Sequence, residues 1–218
     1  MSSRSIDGPR LAPASGGPAK QLVVLLHGYG ADGKDLIGIA KQWQSLLPDA
    51  AFVSPHAPEL CVMNPFGGRQ WFELTFRESS DRAALEQMAP DINAFLDDEL
   101  EALGLDGGKL ALVGFSQGTM LSLHVGLRRR QAPAAIIGYS GMLLSAAQIN
   151  AELKCRPPIL LVHGDQDEVI PVEALTLACD ALGEAGLGVQ WHISRGLGHG
   201  IDVQGIGIGG AFLRKNFK

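Results

Sequence analysis

The chain has 218 residues, with 18 Lys and Arg against 23 Asp and Glu and a net charge of −5. This length suits one domain with a sizeable core. The mild acidity, without a basic block, excludes a nucleic-acid binder, because phosphate neutralisation supplies most of that affinity. A hydrophobic fraction of 46% excludes a disordered chain, and 28 glycines without a collagen-like period must occupy particular turns and close contacts.

Residues 1–20 hold Arg4, Arg10 and three prolines without an apolar stretch. They read as a flexible arm with no signal peptide, leaving 21–218 as a single domain. The longest apolar runs, such as Leu22 to Leu26 and Ile159 to Val162, fall far short of a spanning helix. Cys61, Cys155 and Cys179 are odd in number and irregularly spaced, so they read as free thiols of a reduced, cytoplasmic protein, with Cys61 a candidate for lining a pocket.

Gln21 to Leu26 is a continuous apolar run and predicts a buried parallel strand. Asp35 to Leu47 has helical spacing, and Ala50 to Ser54 is a second strand. From His56 to Thr75 no period emerges, and so long a loop predicts a functional segment or covering flap. Ser79 or Ser80 should cap a long helix reaching Gly104, kinked or split at Pro90. Strands at Lys109–Val113, Ala134–Tyr139, Pro158–His163 and Gly188–Ile193 then alternate with helices at Gln117–Arg130, Ser145–Leu153, Pro171–Ala185 and Asp202–Asn216. Gly205, Gly207, Gly209 and Gly210 weaken the last helix, and close packing on the sheet is the expected compensation. Arg128 to Arg130 read as a solvated helix end. The alternation predicts an α/β fold, a mostly parallel sheet with helices on both faces.

In such sheets ligands bind beyond the carboxyl ends of the strands. Gly114-Phe115-Ser116-Gln117-Gly118 stands there between a strand and a helix, in the G-x-S-x-G pattern that lifts a serine hydroxyl onto a sharp turn. A serine needs a base, and this fold's chain order is Ser, then acid, then His. His199, between Gly198 and Gly200, lies on a post-strand loop, whereas His192 falls inside a strand. Asp167 is favoured over Asp165 as the group that orients the imidazole, Asp165 reading as a loop cap. Oxyanion donors are expected from the backbone N–H groups of Gln117 and Tyr29, with His27 bracing the latter's loop. Met63, Trp71 and Phe72, in the aperiodic loop, are candidate substrate-binding residues as well as ordinary core residues. His124 reads as a packed or surface histidine.

Two competing patterns weigh less. Gly28 to Gly33 also matches G-x-G-x-x-G, but dinucleotide binding requires an acid at the end of the second strand, and Asp49 stands at its other end. His163, Asp165 and Asp167 lack a second ligand cluster, so no metal is expected.

These motifs together resemble the phospholipase/carboxylesterase family of small α/β-hydrolases, which includes bacterial carboxylesterases and acyl-protein thioesterases. The resemblance covers nearly everything after residue 20 and rests on Leu26-His27-Gly28-Tyr29-Gly30, Trp71-Phe72, the Ser116 motif, His163 to Asp167 with Val169-Ile170-Pro171, and Gly198-His199. It implies a Ser116–Asp167–His199 triad, Tyr29 and Gln117 as oxyanion donors, no cofactor, minimal or no lid and a homodimer. The implied activity is hydrolysis of small-molecule carboxylic esters with short to medium acyl chains, with acyl thioesters or lysophospholipids as the alternative. A non-catalytic hydrolase-fold binding protein is the remote alternative, since all three triad members are present. Tyr29, where Leu is common, and the segment Pro65 to Glu73, with Gly67-Gly68-Arg69-Gln70 before Trp71-Phe72 and Glu73 where Asp is usual, depart from the family pattern beside the expected acyl site.

Overall fold

The structure, a computed structural model, describes residues 6–61, 64, 67–144 and 146–217. Seven strands form one sheet in the order β1-β3-β2-β6-β7-β8-β9. They are β1 (Arg10–Leu11), β2 (Gln21–Leu26), β3 (Ala50–Val53), β6 (Leu110–Phe115), β7 (Ala135–Tyr139), β8 (Ile159–Gly164) and β9 (Val189–Ser194). All pairings are parallel except β1 with β3. The helices are α1 (Gly33–Trp43), α2 (Glu78–Leu103), α3 (Gln117–Arg128), α4 (Ile149–Glu152), α5 (Glu173–Glu184) and α6 (Val203–Asn216).

Side chains on a strand alternate between faces, and β2 shows how this builds two cores. Leu22, Val24 and Leu26 pack with Leu85 and Ile92 of α2 and Leu121 of α3. Val23 and Leu25 pack with Leu36 and Trp43 of α1 and Leu213 of α6. A third cluster joins α5 to Ile159 and Leu161 of β8. The sheet is thus covered on both faces, as its continuous apolar strands require.

Several elements differ from the sequence expectation. Residues 1–20 were expected as a flexible arm. From Asp7 on, the backbone is bonded to the sheet: Ser54 N–H donates to Pro9 O at 3.0 Å and His56 N–H to Asp7 O at 2.9 Å. Arg10 bridges Asp7 and Glu99. Helix α2 runs unbroken through Pro90 and starts at Glu78, with Arg77 rather than Ser79 or Ser80 at its cap. Buried Leu85, Met88, Ile92, Phe95 and Leu96 continue one packed stripe across the proline, which outweighs the roughly 3 kcal/mol of lost helix bonding. Near its start, Asp81 accepts from Thr75 N–H and Oγ1, each at 2.7 Å. The short helix near residue 145 is a 3₁₀ turn, Ala146–Gln148, followed by α4; Ser145 lies outside the described residues. Arg128 and Arg129 are not merely solvated: Arg128 pairs with Glu152, and Arg129 with Asn93 and Asp97.

The glycines of α6 have a packing reason. A Cβ on Gly209 would overlap the Tyr139 hydroxyl, and one on Gly210 would stand 2.8 Å from the Trp43 ring. That close approach lets Trp43 Nε1 donate to Ile206 O at 2.9 Å and Tyr139 O–H to Gly205 O at 3.1 Å. The aperiodic segment holds a two-stranded antiparallel hairpin, β4 (Glu59–Leu60) with β5 (Arg69–Gln70), folded back on the loop after β2. Gly30 N–H donates to Arg69 O, and Arg69 N–H to Ala31 O, both at 2.8 Å.

Candidate active site

Four post-strand loops meet at the carboxyl edge of the sheet. Ser116 stands between β6 and α3 with φ 53 and ψ −113, a conformation that L-residues avoid. Such strain costs about 1–3 kcal/mol and persists only where the surroundings impose it. Here the Ser116 N–H donates to Tyr139 O at 2.9 Å. The corner closes tightly: a Cβ on Gly118 would overlap the Leu26 carbonyl, and one on Gly114 would stand inside the Gly118 backbone. Ser116 occupies the cap position of α3, yet its side chain makes no capping hydrogen bond. An ordinary N-cap role is therefore not what fixes it.

Asp167 and His199 come together as expected, with His199 Nδ1 2.8 Å from Asp167 Oδ2. The other carboxylate oxygen accepts from Val169 N–H and Ile170 N–H, both at 2.9 Å. Burial alone would raise the Asp167 pKa, but the Ile170 N–H, the His199 ring and the Val169 N–H outweigh it and hold the carboxyl below its ordinary value. A carboxylate fixed this way accepts from the histidine and sets its tautomer. His199 lies against Phe115, the residue preceding Ser116, with ring centroids 5.0 Å apart. Asp165 turns away: its carboxylate is exposed and accepts from Gly196 N–H at 2.6 Å. His192 stays within β9, opposite Val162 of β8. His124 is buried, and burial followed by the Arg128 charge lowers its pKa to about 4.

The loop after β2 lies against the nucleophile corner, since a Cβ on Gly28 would stand 3.3 Å from Ser116 Cβ. His27 braces it: Nδ1 donates to Gly28 O at 2.8 Å and Nε2 accepts from Ala57 N–H at 3.0 Å. Burial lowers its pKa to about 4, so the ring is neutral at pH 7. Burial and the Cys61 thiol raise the Tyr29 hydroxyl to about 12. Gln117, the first residue of α3, has an N–H with no partner within the helix. Its side chain is fully buried and bolts down the segment beyond the hairpin: Oε1 accepts from Trp71 N–H at 3.0 Å and Nε2 donates to Phe72 O at 2.7 Å.

Of the three candidate substrate-binding residues, Met63 lies outside the described residues. Trp71 and Phe72 sit in the core beneath the site, and Trp71 Nε1 donates to His27 O at 2.9 Å. An apolar cavity of about 500 Å³ lies instead among Leu74, Phe76, Met120, Met142, Leu144 and Ala178. Met120 lines it and stands one helical turn beyond Ser116, its N–H donating to the Ser116 carbonyl at 3.3 Å. Met120 is four residues after Ser116, one turn along the same helix face, a spacing that could have revealed it. His163 was also missed: buried 3.3 Å from Asp167 Oδ2, it donates from Nε2 to Ile170 O at 2.8 Å and packs the acid's loop.

The comparisons with known proteins agree with this geometry. The phospholipase/carboxylesterase family model matches residues 12–217. The chain is 31% identical to Esterase YpfH of Escherichia coli over 186 residues, covering 85% of this chain and 78% of that one. It is 28% identical to Acyl-protein thioesterase 1 of Neurospora crassa, covering 81% and 79%. Among solved structures, esterase PE8 superposes with a TM-score of 0.92 at 42% identity, covering 97% of this chain and 99% of that one. The strained serine corner, the paired acid and histidine, and a match over almost the whole chain lead to one conclusion: the chain belongs to the phospholipase/carboxylesterase family.

Proposed function

We propose that the chain is a serine hydrolase of carboxylic esters with short to medium acyl chains. The observation that carries this reading is the Ser116 hydroxyl, free of any capping duty on a strained corner, with the His199–Asp167 pair on the neighbouring loops. Asp167 accepts the Nδ1 proton of His199, which leaves Nε2 as the base. His199 takes the Ser116 proton as Oγ attacks the carbonyl carbon, and the backbone N–H groups of Gln117 and Tyr29 receive the oxyanion. Collapse breaks the bond to the leaving oxygen, to which His199 returns the proton. Water, activated by the same ring, then releases the acid from the acyl-enzyme and restores Ser116.

The apolar cavity supports an acyl chain lying toward Met120 and Leu74, and its volume falls in the range of small-molecule sites. Relatives named acyl-protein thioesterase favour a second reading, thioester hydrolysis, at the same serine. Initial rates on oxygen and thio esters of matched acyl length decide between them. No described helix is long and apolar enough to cross a membrane. Three free thiols support a reducing, cytoplasmic setting. The family resemblance and the exposed Trp191 on edge strand β9 support a homodimer, which analytical ultracentrifugation checks.

The central test is Ser116→Ala assayed on p-nitrophenyl butyrate and octanoate. Turnover is expected to fall at least about a thousandfold while the circular dichroism spectrum is kept. Retention of wild-type turnover overturns the mechanism.

A further inference from the structure

Strand β7 lies between β6, which leads to Ser116, and β8, which leads to Asp167. It runs out into Tyr139-Ser140-Gly141. These residues hold the Ser116 corner. Tyr139 O accepts from the Ser116 N–H and from Thr119 Oγ1, both at 2.9 Å. Gly141 makes room for the Ser116 carbonyl, from which a Cβ there would stand 2.8 Å. The same stretch also holds the segment that follows His199. Ser140 Oγ donates to Gly200 O at 3.0 Å, one residue after the proposed base. The Tyr139 hydroxyl donates to Gly205 O at 3.1 Å, in the first turn of α6. One short segment is thus bonded to the loops of both the proposed nucleophile and the proposed base.

Ser140 is buried and has φ 44, in the left-handed region. Among the described residues only Ser116 and Phe76 share a positive φ without being glycine. Such strain persists only where the surroundings impose it, and it collects at functional sites. Glycine would take this backbone at less cost, but it would lack the hydroxyl that reaches Gly200. His199 needs such a tether. It stands between Gly198 and Gly200, whose backbones are the least restricted of any residue, so its own loop does not fix it. Asp167 holds the ring at Nδ1, and Ser140 holds the backbone one residue on. Two points of attachment, one on the ring and one on the main chain, fix where Nε2 is aimed.

We propose that Ser140 is a positioning residue for the hydrolysis: its hydroxyl holds the His199 loop so that Nε2 meets the Ser116 hydroxyl. The inference rests on the serine-hydrolase reading and adds to it a residue outside the triad and the oxyanion donors. Ser140 acts through Gly200 and touches no reacting atom, so its effect belongs to the chemical step and not to substrate binding.

The test compares Ser140→Ala and Ser140→Gly in the full chain, on p-nitrophenyl butyrate. Both variants remove the hydroxyl, but Ser140→Ala keeps the strained Cβ and Ser140→Gly relieves it. Both should lower kcat per folded molecule by at least about tenfold, since an ångström of misplacement costs up to about a hundredfold, with KM within about twofold of wild type. Stability should part the two, with Ser140→Gly melting above Ser140→Ala. A hydroxyl that served only the fold would leave turnover per folded molecule unchanged, or would let Ser140→Gly recover what Ser140→Ala loses. Either result, or a loss carried by KM with kcat kept, overturns the inference while Ser116→Ala remains inactive. Ser116→Ala turning over the ester at the wild-type rate overturns the serine mechanism instead.

Discussion

Asp165 and Asp167 stand two residues apart on one loop, yet their surroundings give them different chemistry. Asp165 is exposed and caps a neighbouring turn, while Asp167 is buried, receives two backbone N–H groups and faces His199. Replacing Asp167 with Asn should therefore lower kcat on p-nitrophenyl butyrate by about 10⁴, through the wrong imidazole tautomer. Asp165→Asn should stay within about threefold, as for an exposed position. Stability follows the same asymmetry. The folded pKa of Asp167 lies below its ordinary value of 3.8, so its stabilisation is present above that value and is lost as the pH falls through the lower folded one. Thermal melts from about pH 5 down to about pH 2.5 should lose less Tm in Asp167→Asn than in wild type. His27 is the opposite case: neutral down to about pH 4 and hydrogen-bonded at both nitrogens, it holds a loop and moves no proton.

Within an element, the same substitution can change sign over two positions. In α6, Gly207 faces open space, and Gly207→Ala should stabilise by up to about 1 kcal/mol through helix propensity. Gly209 touches Tyr139 and Trp43, and Gly209→Ala should cost about 1–3 kcal/mol by overpacking. Urea denaturation midpoints of the two variants check both signs. The sequence periodicity revealed that α6 exists and that its glycines needed a packing reason. It could not reveal the reason, because Tyr139 and Trp43 lie 70 and 166 residues before Gly209 in the chain, a relation no local pattern encodes. Pro90 shows the same limit: local rules break the helix there, and the stripe from Leu85 to Leu96 keeps it whole. The elbow was legible because its glycines, serine and flanking strand are adjacent in sequence. The cavity beside it was not, since Leu74, Met142 and Ala178 come from three separate segments.

At the scale of the molecule, the segment before β2 finishes the sheet. It covers β3, which would otherwise be an open edge, and Arg10 ties it to Glu99 of α2. Deleting residues 1–17 should lower Tm by several degrees, about 2–4 °C for each kcal/mol lost, and raise light scattering on heating as the β3 edge becomes available for pairing. Turnover per folded molecule should be unchanged, because none of the proposed site residues lies on that segment. A different long-range connection runs through the site itself. Gln117, proposed above as an oxyanion donor, grips Trp71 and Phe72 with its side chain at the end of the hairpin segment. Trp71 in turn holds the carbonyl of His27, beside the second donor's loop. Both proposed oxyanion donors thus hang from one interlock. Prising residues 71–72 away from the corner would disarm both donors together, so for this enzyme uncovering the site and losing the power to stabilise the charge developing on the carbonyl oxygen are a single event.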